Sequence, residues 1–557
     1  MNLLQWEDSR IKKSCFLLAP LFSLFTIGGF YFENLKNGLP EILSGRPWVL
    51  YTVLVFAALS ICFALTLKLV FRTMGRIEQN SLLTGISQKK CRYGLRMEEK
   101  PFLTSFLSLC MLYIPYAVLS YPGIFMGDVG KTMMQGFGIW GLFSQQPPIY
   151  TLLVSGLVKA GYASLQSWNA GAMTAAVVQM MVLLAVIAWG NRLLICRGVR
   201  WEAAALFLVY YAISLIVSNY MMLLTKDVWY VAFFFLWVQG LADVITDRVN
   251  TKHIFPLTVG MLGMLAFRNE AILVLLLSLL FCAITDRKHV KRLLAFAVEA
   301  AALYGVLMLL IYPALGIHDD GIDENSQRDL FSPVFQQTAR TVQTHRDEIT
   351  PEEEAAILKA FSFESLEEMA DAYSPDYADN VKNEFNARFG SEEAERYFQT
   401  WREMGKKYPR SYVMATLANT YQYVYPFSPF WVYTYDYSAD NMALVNDMLG
   451  FTDFHYPDTL SHARQQYEKI REAAYSVLPL SLFNGSGVVA WVMMILTAWV
   501  LARKEKEKSA MLIPLWVVLV FCLFSPCNGS YGRYQYPIFI ALPWIFALCL
   551  LPKADTQ

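Results

Sequence analysis

The stretch FLTSFLSLCMLYIPYAVLSYPGIFMGD, residues 102–128, contains the two features that decide how this chain folds. Residues 102–121 carry no charged side chain, and an apolar helix of that length can cross the hydrocarbon core of a bilayer. The loop that follows ends in one carboxylate, that of Asp128. The stretch therefore predicts a membrane-spanning helix with an acid just beyond one of its ends.

The composition of the whole chain is also that of a membrane protein. Of its 557 residues, 55% are hydrophobic and only 17% are charged, whereas soluble domains carry about 25% charged residues. Twelve apolar segments predict membrane spans: 14–32, 48–70, 102–121, 170–192, 202–222, 228–246, 254–267, 271–285, 294–315, 480–501, 510–526 and 536–551. We therefore expect an all-α polytopic membrane protein with about twelve transmembrane helices.

Basic residues set the expected orientation, because Lys and Arg mark cytoplasmic loops. They cluster at 10–13, 72–100, 192–200, 287–292 and 503–508. These clusters predict that both termini are cytoplasmic. A crossing by residues 147–165 would turn the later clusters outward, so we expect an interfacial or re-entrant helix there. With a second amphipathic helix after Asp128, the first large outer loop, 122–169, is expected to hold interfacial helices.

The same orientation divides the chain into three parts. Residues 1–315 form the first part of the transmembrane domain, 316–479 an extracytoplasmic insert, and 480–557 the last three transmembrane helices. The insert is rich in charge, and helix-start signals such as Thr350-Pro-Glu-Glu-Glu354 predict a small helical domain resting on the membrane. Its aromatic stretch 421–435 has two interpretations, a belt at headgroup depth or a stacking wall for a sugar ring.

The polar residues suited to chemistry all fall on the expected outer face. They are Asp128, Gln145, Gln146, Lys226, Asp227, Arg268, Asn269, Glu270, Arg533 and Tyr534. A carboxylate at headgroup height is suited to act as a base on a lipid-linked substrate, and arginine binds phosphate oxygens in pairs. Structural alternatives stay open, since Asp128 could cap a helix starting at Val129, and Arg268 and Glu270 could form an ion pair at a hairpin tip.

Other classes of function find little support in the sequence. The nine cysteines show no metal-ligand spacing, and His345 and His455 lie in the insert without a second histidine at such a spacing. The chain has no phosphate-binding glycine loop, no dinucleotide fingerprint and no basic stripe for nucleic acid. We therefore expect no cofactor, no metal site and no nucleic-acid partner, while a need for a divalent metal ion stays open.

The arrangement resembles the GT-C class of membrane glycosyltransferases. The resemblance rests on Asp128 in the first large outer loop, the interfacial helix after it, the entry Gln146-Pro-Pro-Ile-Tyr150 to the next helix, and the large late insert. Gln146 stands where that class often has a basic residue, and Val129 where many members have a second acid. The chain also looks like a group of uncharacterised bacterial multi-spanning proteins, mainly of Gram-positive type. That likeness includes Thr225-Lys-Asp227, Arg268-Asn269, Gln336-Gln-Thr-Ala-Arg340, Tyr408-Pro409 and Gly532-Arg-Tyr534.

The resemblance implies transfer of a sugar from a polyprenyl-phosphate carrier in the cell membrane to an envelope glycan, lipid or protein. Asp128 would be the base, Lys226, Arg268 and Arg533 would hold the phosphate, and the other outer polar residues would contact the substrate. Three alternatives stay open. A lipid-linked glycan ligase or polymerase would rely on outer arginines and a histidine. A transporter would carry charges along a path through its spans. A non-catalytic envelope scaffold would need neither catalytic side chains nor such a path.

Overall fold

The protein is built from helices. The computed structural model describes residues 9–36, 46–79, 83–84, 91–144, 146–247, 251–317, 324–428, 435–477, 481–482, 484–524 and 532–552. In these ranges every regular element is helical, and extended backbone pairs only at four isolated bridges. The expected all-α fold is therefore confirmed for the described residues.

Most of the apolar helices precede the insert. They lie among α1 (Ser9–Lys36), α2 (Arg46–Gln79), α3 (Arg92–Glu99), α4 (Pro101–Leu119), α5 (Gly127–Gly136), α6 (Pro148–Leu165), α7 (Trp168–Cys196), α8 (Trp201–Ile213), α9 (Leu215–Met221), α10 (Lys226–Ile245), α11 (Thr251–Phe267), α12 (Ala271–Thr285), α13 (Val290–Val306) and α14 (Tyr312–Ala314). Eight stretches of the described chain are long and apolar enough to span a membrane, and six of them belong to this part: α1, α2, α4, α7, α10 and Arg287–Ala314. The chain is thus a polytopic helical membrane protein.

The remaining predicted spans are helical but bent or short. Helices α8 and α9 qualify only as one span with a bend of 66° between them, and the apolar parts of α11 and α12 are shorter than a full span. At 1.5 Å per residue, a helix of 14 to 15 residues is only about 22 Å long, against about 30 Å of hydrocarbon. Length and composition of the described residues therefore support eight or nine spans, fewer than the twelve expected. Helix α6 is not among the candidates.

Three helices follow the insert. They are α23 (Ser486–Ala502), which is apolar but short, α24 (Lys506–Phe524) and α25 (Tyr536–Leu550), the last two being candidate spans. Helix α25 is buried along nearly its whole length and packs against α7, α10 and α24. The final helices therefore close the bundle that the first part of the chain begins.

The helix bundle has two different ends. Ion pairs between the basic loops gather at one end: Arg197 with Asp243, Lys288 and Arg292 with Asp247, and Arg503 with Glu78 and Glu505. At the other end of the same helices, the loops 120–126, 222–226 and 268–270 meet one another and the insert. The basic loops thus lie opposite the insert, as the charge pattern requires. Which end faces the cytoplasm stays a prediction.

The insert consists of two parts that pack differently. Its first part comprises α15 (Glu324–His345), α16 (Pro351–Ala360), α17 (Leu366–Ala372), α18 (Asp379–Lys382), α19 (Glu392–Lys407) and α20 (Pro409–Thr420). These helices enclose a hydrophobic core of their own, centred on Phe335, Phe385 and Tyr397. The start expected at Thr350 is confirmed as a capping box with Glu353.

The second part of the insert is attached to the bundle. It comprises α21 (Tyr435–Leu449) and α22 (Ser461–Ser476). The buried guanidinium of Arg464 donates to the carbonyls of Leu119 and Tyr121 at 2.9 and 2.7 Å. That of Arg471 donates to Asn219 Oδ1 at 3.0 Å. Because these bonds satisfy buried charges, they fix the insert beside the loop that leads to Asp128.

The aromatic stretch after α20 packs inside the protein. Tyr421, Tyr423 and Tyr425 are buried. The hydroxyl of Tyr421 donates to Glu33 on α1 at 2.5 Å, and the carbonyl of Tyr423 accepts from Gln535 at 3.3 Å. Residues 429–434 lie outside the described residues. The described part of this stretch therefore joins the insert to the first and last helices.

Gly29 marks a point where the insert meets α1 closely. A Cβ atom at Gly29 would lie 2.2 Å from the ring of Tyr425, whereas at Gly28 it would meet nothing within 4 Å. Gly29→Ala is therefore expected to lower the unfolding temperature in detergent, because overpacking costs about 1–3 kcal/mol. Gly28→Ala is the matched control and should leave that temperature unchanged or raise it. Equal unfolding temperatures for the two variants would contradict this packing.

Candidate functional site

Asp128 lies in the first turn of α5, beside the start of α10. The loop before it pairs with the segment before α10, since Ile124 forms a bridge with Leu223. Helix α5 begins at Gly127 with Met126 as its N-cap residue. The interpretation of Asp128 as the cap of a helix starting at Val129 is therefore wrong. Its carboxylate is stabilised by the positive end of α5. It pairs with Arg533, which lies just before α25.

Four charged side chains from four separate segments form a continuous chain. Arg533 Nη1 donates to Asp128 Oδ2 at 3.1 Å and lies 4.0 Å from Asp227 Oδ2. Arg268 Nη1 donates to Asp227 Oδ1 at 3.0 Å. The order Asp128, Arg533, Asp227, Arg268 therefore alternates in sign. We call these four residues the charge cluster.

The members of the charge cluster differ in exposure. The side chain of Asp227 is 4% exposed, while those of Arg533, Arg268 and Asp128 are 15%, 20% and 30% exposed. The hydroxyl of Thr225, the N-cap of α10, donates to Asp227 Oδ2 at 3.1 Å. Asp227 is thus at the bottom of the cluster, where it holds both arginines in place. Asp128 is the more exposed of the two carboxylates in the cluster.

Two further charged residues expected at the site lie next to the cluster. Lys226 is half-buried, and its positive charge acts on the carboxylates of Asp128 and Glu270. Glu270 is 63% exposed and accepts from Arg268 Nε at 3.3 Å. The hairpin-tip ion pair is therefore present, but Arg268 also contacts Asp227 and is not confined to it.

Tyr534 and Asn269 lie next to the charge cluster. The ring of Tyr534 lies 5.1 Å from the guanidinium carbon of Arg533 and 5.7 Å from that of Arg268. These distances are within the range of cation–π contacts. Asn269 Nδ2 donates to the carbonyl of Ser144 at 2.8 Å. This bond joins the turn that carries Arg268 to the segment before α6.

The charges around Asp128 keep it ionised. Burial by itself would raise the pKa of its carboxyl group, but the positive charges of Arg533, Lys226 and Lys131 outweigh burial and hold the pKa below its usual range. A carboxylate with such a low pKa is a weak base as long as these cations face it. Its basicity increases when another anion engages Arg533.

Of the two glutamines expected at the site, Gln145 and Gln146, the structure describes only Gln146. Gln145 lies outside the described residues, so its expected substrate contact stays a prediction. Gln146 is 3% exposed at the start of α6, and its Oε1 has no hydrogen-bond partner among the described residues. A buried acceptor without a donor is costly. Gln146 is therefore an unusual residue even though it carries no charge.

The two histidines have partners away from the charge cluster. The ring of His345 stacks on Tyr408 and contacts Glu348 at 3.1 Å. The backbone of His455 donates to and accepts from the side chain of Asn169 at the start of α7. In the part of the chain that the structure describes, no group of three or more His, Cys, Asp or Glu side chains is arranged for a metal ion.

Tyr150 belongs to this region, although the sequence did not single out its hydroxyl. Its side chain is 1% exposed in α6. Burial raises the pKa of its phenol, and the nearby negative charges of Asp227 and Asp128 raise it further. Tyr150 is the last residue of the Gln-Pro-Pro-Ile-Tyr stretch, and its place in that stretch was the sequence feature that could have identified it. Its closeness to the charges of two carboxylates depends on the fold.

No curated protein and no solved structure matches this chain. A family model matches residues 141–555. That range begins after Asp128 and includes Asp227, Arg268 and Arg533. The chain therefore belongs to DUF6020, a family of unknown function.

Proposed function

We propose that this protein is an integral membrane glycosyltransferase of the GT-C type. It transfers a hexose or pentose from a polyprenyl-phosphate carrier to a glycan, lipid or protein acceptor of the cell envelope. The observation that supports the proposal is the charge cluster at the insert end of the bundle, in which the partly exposed carboxylate of Asp128 pairs with Arg533, and Asp227 joins Arg533 to Arg268. A base beside a phosphate-binding pair is the arrangement that such a transfer requires.

The proposal includes an orientation in the membrane. Both termini are cytoplasmic, the charge cluster and the insert are extracytoplasmic, and α6 lies along the outer surface. Twelve spans result if the bent pair and the three short apolar helices also cross. The loop after α5 exposes Ile139, Trp140 and Phe143, which suit contact with lipid at the same level. The carrier's prenyl chain then stays in the bilayer while its phosphate reaches the cluster.

In the proposed reaction, the acceptor's hydroxyl oxygen forms a bond to the sugar's anomeric carbon. The bond from that carbon to the phosphate oxygen breaks, and its electron pair leaves with polyprenyl phosphate. The hydroxyl proton passes to Asp128. Arg268, Arg533 and Lys226 stabilise the additional negative charge on the departing phosphate. Because the transition state resembles an oxocarbenium ion, the proton can leave late, and a carboxylate is a sufficient base.

The bond between Arg533 and Asp128 couples the base to the donor. In the absence of a phosphate, Arg533 is neutralised by Asp128 at 3.1 Å. A bound phosphate competes for the same guanidinium nitrogen and releases the carboxylate. The pKa of Asp128 then rises toward its ordinary value, which strengthens the base. Proton abstraction is therefore favoured when the donor is in place.

The alternatives receive less support from the geometry. A ligase or polymerase that uses a histidine would be favoured by a histidine at the arginines, but His345 and His455 contact the insert and α7 instead. A transporter would be favoured by charges along a path through the bundle. The charge cluster lies at one end of the helix bundle. A non-catalytic scaffold does not require a partly exposed carboxylate paired with an arginine at this position.

Binding of the carrier tests the proposal. The purified full-length protein in nanodiscs is expected to bind polyprenyl phosphate more tightly than neutral polyprenol, measured by native mass spectrometry. The double variant Arg268→Gln/Arg533→Gln should lose about 10- to 100-fold in affinity for the phosphate, because it loses charge-assisted hydrogen bonds. Arg346→Gln, on the insert surface, is the control. Equal binding of phosphate and alcohol, or wild-type affinity of the double variant, would contradict the proposal.

A further inference from the structure

Three polar atoms near the charge cluster lack a hydrogen-bond partner within the described ranges. They are Tyr150 Oη, Gln146 Oε1 and Asn269 Oδ1, all shielded from solvent. The whole side chains of Tyr150 and Gln146 are 1% and 3% exposed. Leaving one such atom buried and unpaired costs about 1–3 kcal/mol, and native proteins keep few of them. Unpaired polar atoms occur in other parts of the described chain as well, and these three are distinguished by lying beside the charge cluster, where a bound molecule can satisfy them.

These atoms belong to one small region. Asn269 Nδ2 donates to the carbonyl of Ser144, two positions before Gln146. The ring of Tyr150 lies 6.5 Å from that of Phe267, two positions before Asn269. The region therefore lies between the start of α6 and the turn that carries Arg268. Because Asn269 directly follows Arg268 in the chain, this region adjoins the charge cluster, and the charges of Asp227 and Asp128 act on Tyr150.

The chemistry of the three atoms indicates what binds them. Because Asn269 uses its amide nitrogen on Ser144, its Oδ1 is left as an acceptor, and Gln146 also offers an oxygen. Acceptors require a ligand with O–H or N–H donors. An ionised phosphate diester has none, and neither has a prenyl chain. The hydroxyl groups of a sugar are suitable donors, and they also accept from the hydroxyl of Tyr150.

We infer that Tyr150, Gln146 and Asn269 form the subsite that binds the hydroxyl groups of the transferred sugar. This inference rests on the proposed function, since the charge cluster is taken to hold the phosphate of the same donor. The phosphate supplies most of the affinity through Arg268 and Arg533. The three neutral side chains then distinguish a sugar-bearing lipid from the sugar-free product, which favours product release after transfer.

Two probes separate the subsite from the phosphate site. Affinities of the full-length protein in nanodiscs are measured for polyprenyl phosphate and for a panel of hexosyl and pentosyl polyprenyl phosphates. Wild type is expected to prefer at least one sugar-bearing lipid. Tyr150→Phe and Gln146→Leu should each lower that affinity about 3- to 10-fold and leave the sugar-free affinity unchanged. Tyr373→Phe, which removes a hydroxyl buried in the core of the insert, is the matched control.

The outcomes distinguish the two proposals. If wild type binds neither kind of lipid phosphate, the proposed function fails and the inference fails with it. If wild type binds them without preferring any sugar, or if both variants match wild type on every probe, the inference alone is overturned. Equal losses for sugar-bearing and sugar-free lipids would also overturn it, since that result assigns the residues to the phosphate site or to the fold. Thermal unfolding of each variant separates those two cases.

Discussion

Asp128→Asn is expected to lower kcat for sugar transfer by about 10²- to 10⁴-fold, the usual contribution of a general base. Asparagine preserves the shape of the side chain but cannot accept the acceptor's proton. Because Asp128 is 30% exposed at the end of the charge cluster, the change should leave the fold intact. The measurement is the transfer rate with purified protein at saturating donor, with unfolding temperature as the check on structure.

The Asp128→Asn variant should lose transfer rate without losing affinity for the donor. Asp128 is an acidic partner of Arg533 in the ligand-free protein, so removing its charge increases the net positive charge that attracts phosphate. Affinity for polyprenyl phosphate is therefore expected to stay equal to wild type or increase. Asp347→Asn, an identical change on the exposed surface of the insert, is the control. Transfer at the wild-type rate would rule out the base role, and a loss of binding would assign Asp128 to the phosphate site instead.

Hydropathy and charge predict the elements of this fold well, because both are properties of short segments. Each of the twelve apolar segments is mainly helical over the residues that the structure describes. The Lys and Arg clusters also indicate which loops lie on the same side of the membrane, because successive spans place consecutive loops on alternating sides. The charge pattern therefore predicts that Asp128 and Arg533, separated by 405 positions, lie on the same face, and the structure brings them to 3.1 Å from each other. Counting spans was less successful, because α11, α12 and α23 are shorter than a full span and because the bend between α8 and α9 depends on packing.

Features that depend on tertiary contact could not be predicted. Asp128 has the residue type and position of a helix cap, yet α5 begins before it and its partner comes from the last part of the chain. Tyr150 occurs in an apolar helix, where an aromatic residue usually has only a packing role. Only folding buries its hydroxyl without a partner and brings the charges of two carboxylates close to it. Likewise, arginine is a residue type that is mostly exposed, yet Arg464 and Arg471 of α22 are buried against the bundle.

Arg533→Gln is expected to reduce kcat/KM by about 10²- to 10³-fold, because a donor aimed at developing negative charge is lost. Its residual activity should also depend differently on pH. Asp128 must be ionised to accept a proton, so the rate falls as pH falls through its pKa. In wild type, burial raises this pKa, but Arg533 is the strongest of the cations that hold it below its usual range. Without Arg533 the pKa rises, and the acid side of the pH–rate profile moves to higher pH.

Arg268→Gln is the matched comparison for this shift. Arg268 pairs with Asp227 and Glu270, whereas the cations with the largest effect on Asp128 are Arg533, Lys226 and Lys131. It should reduce kcat/KM through weaker phosphate binding but leave the acid side of the profile where wild type has it. Profiles of kcat/KM from about pH 4 to pH 8 measure both variants. An unshifted profile for Arg533→Gln, or equal shifts for the two, would separate Arg533 from Asp128 and contradict the proposed coupling of base to donor.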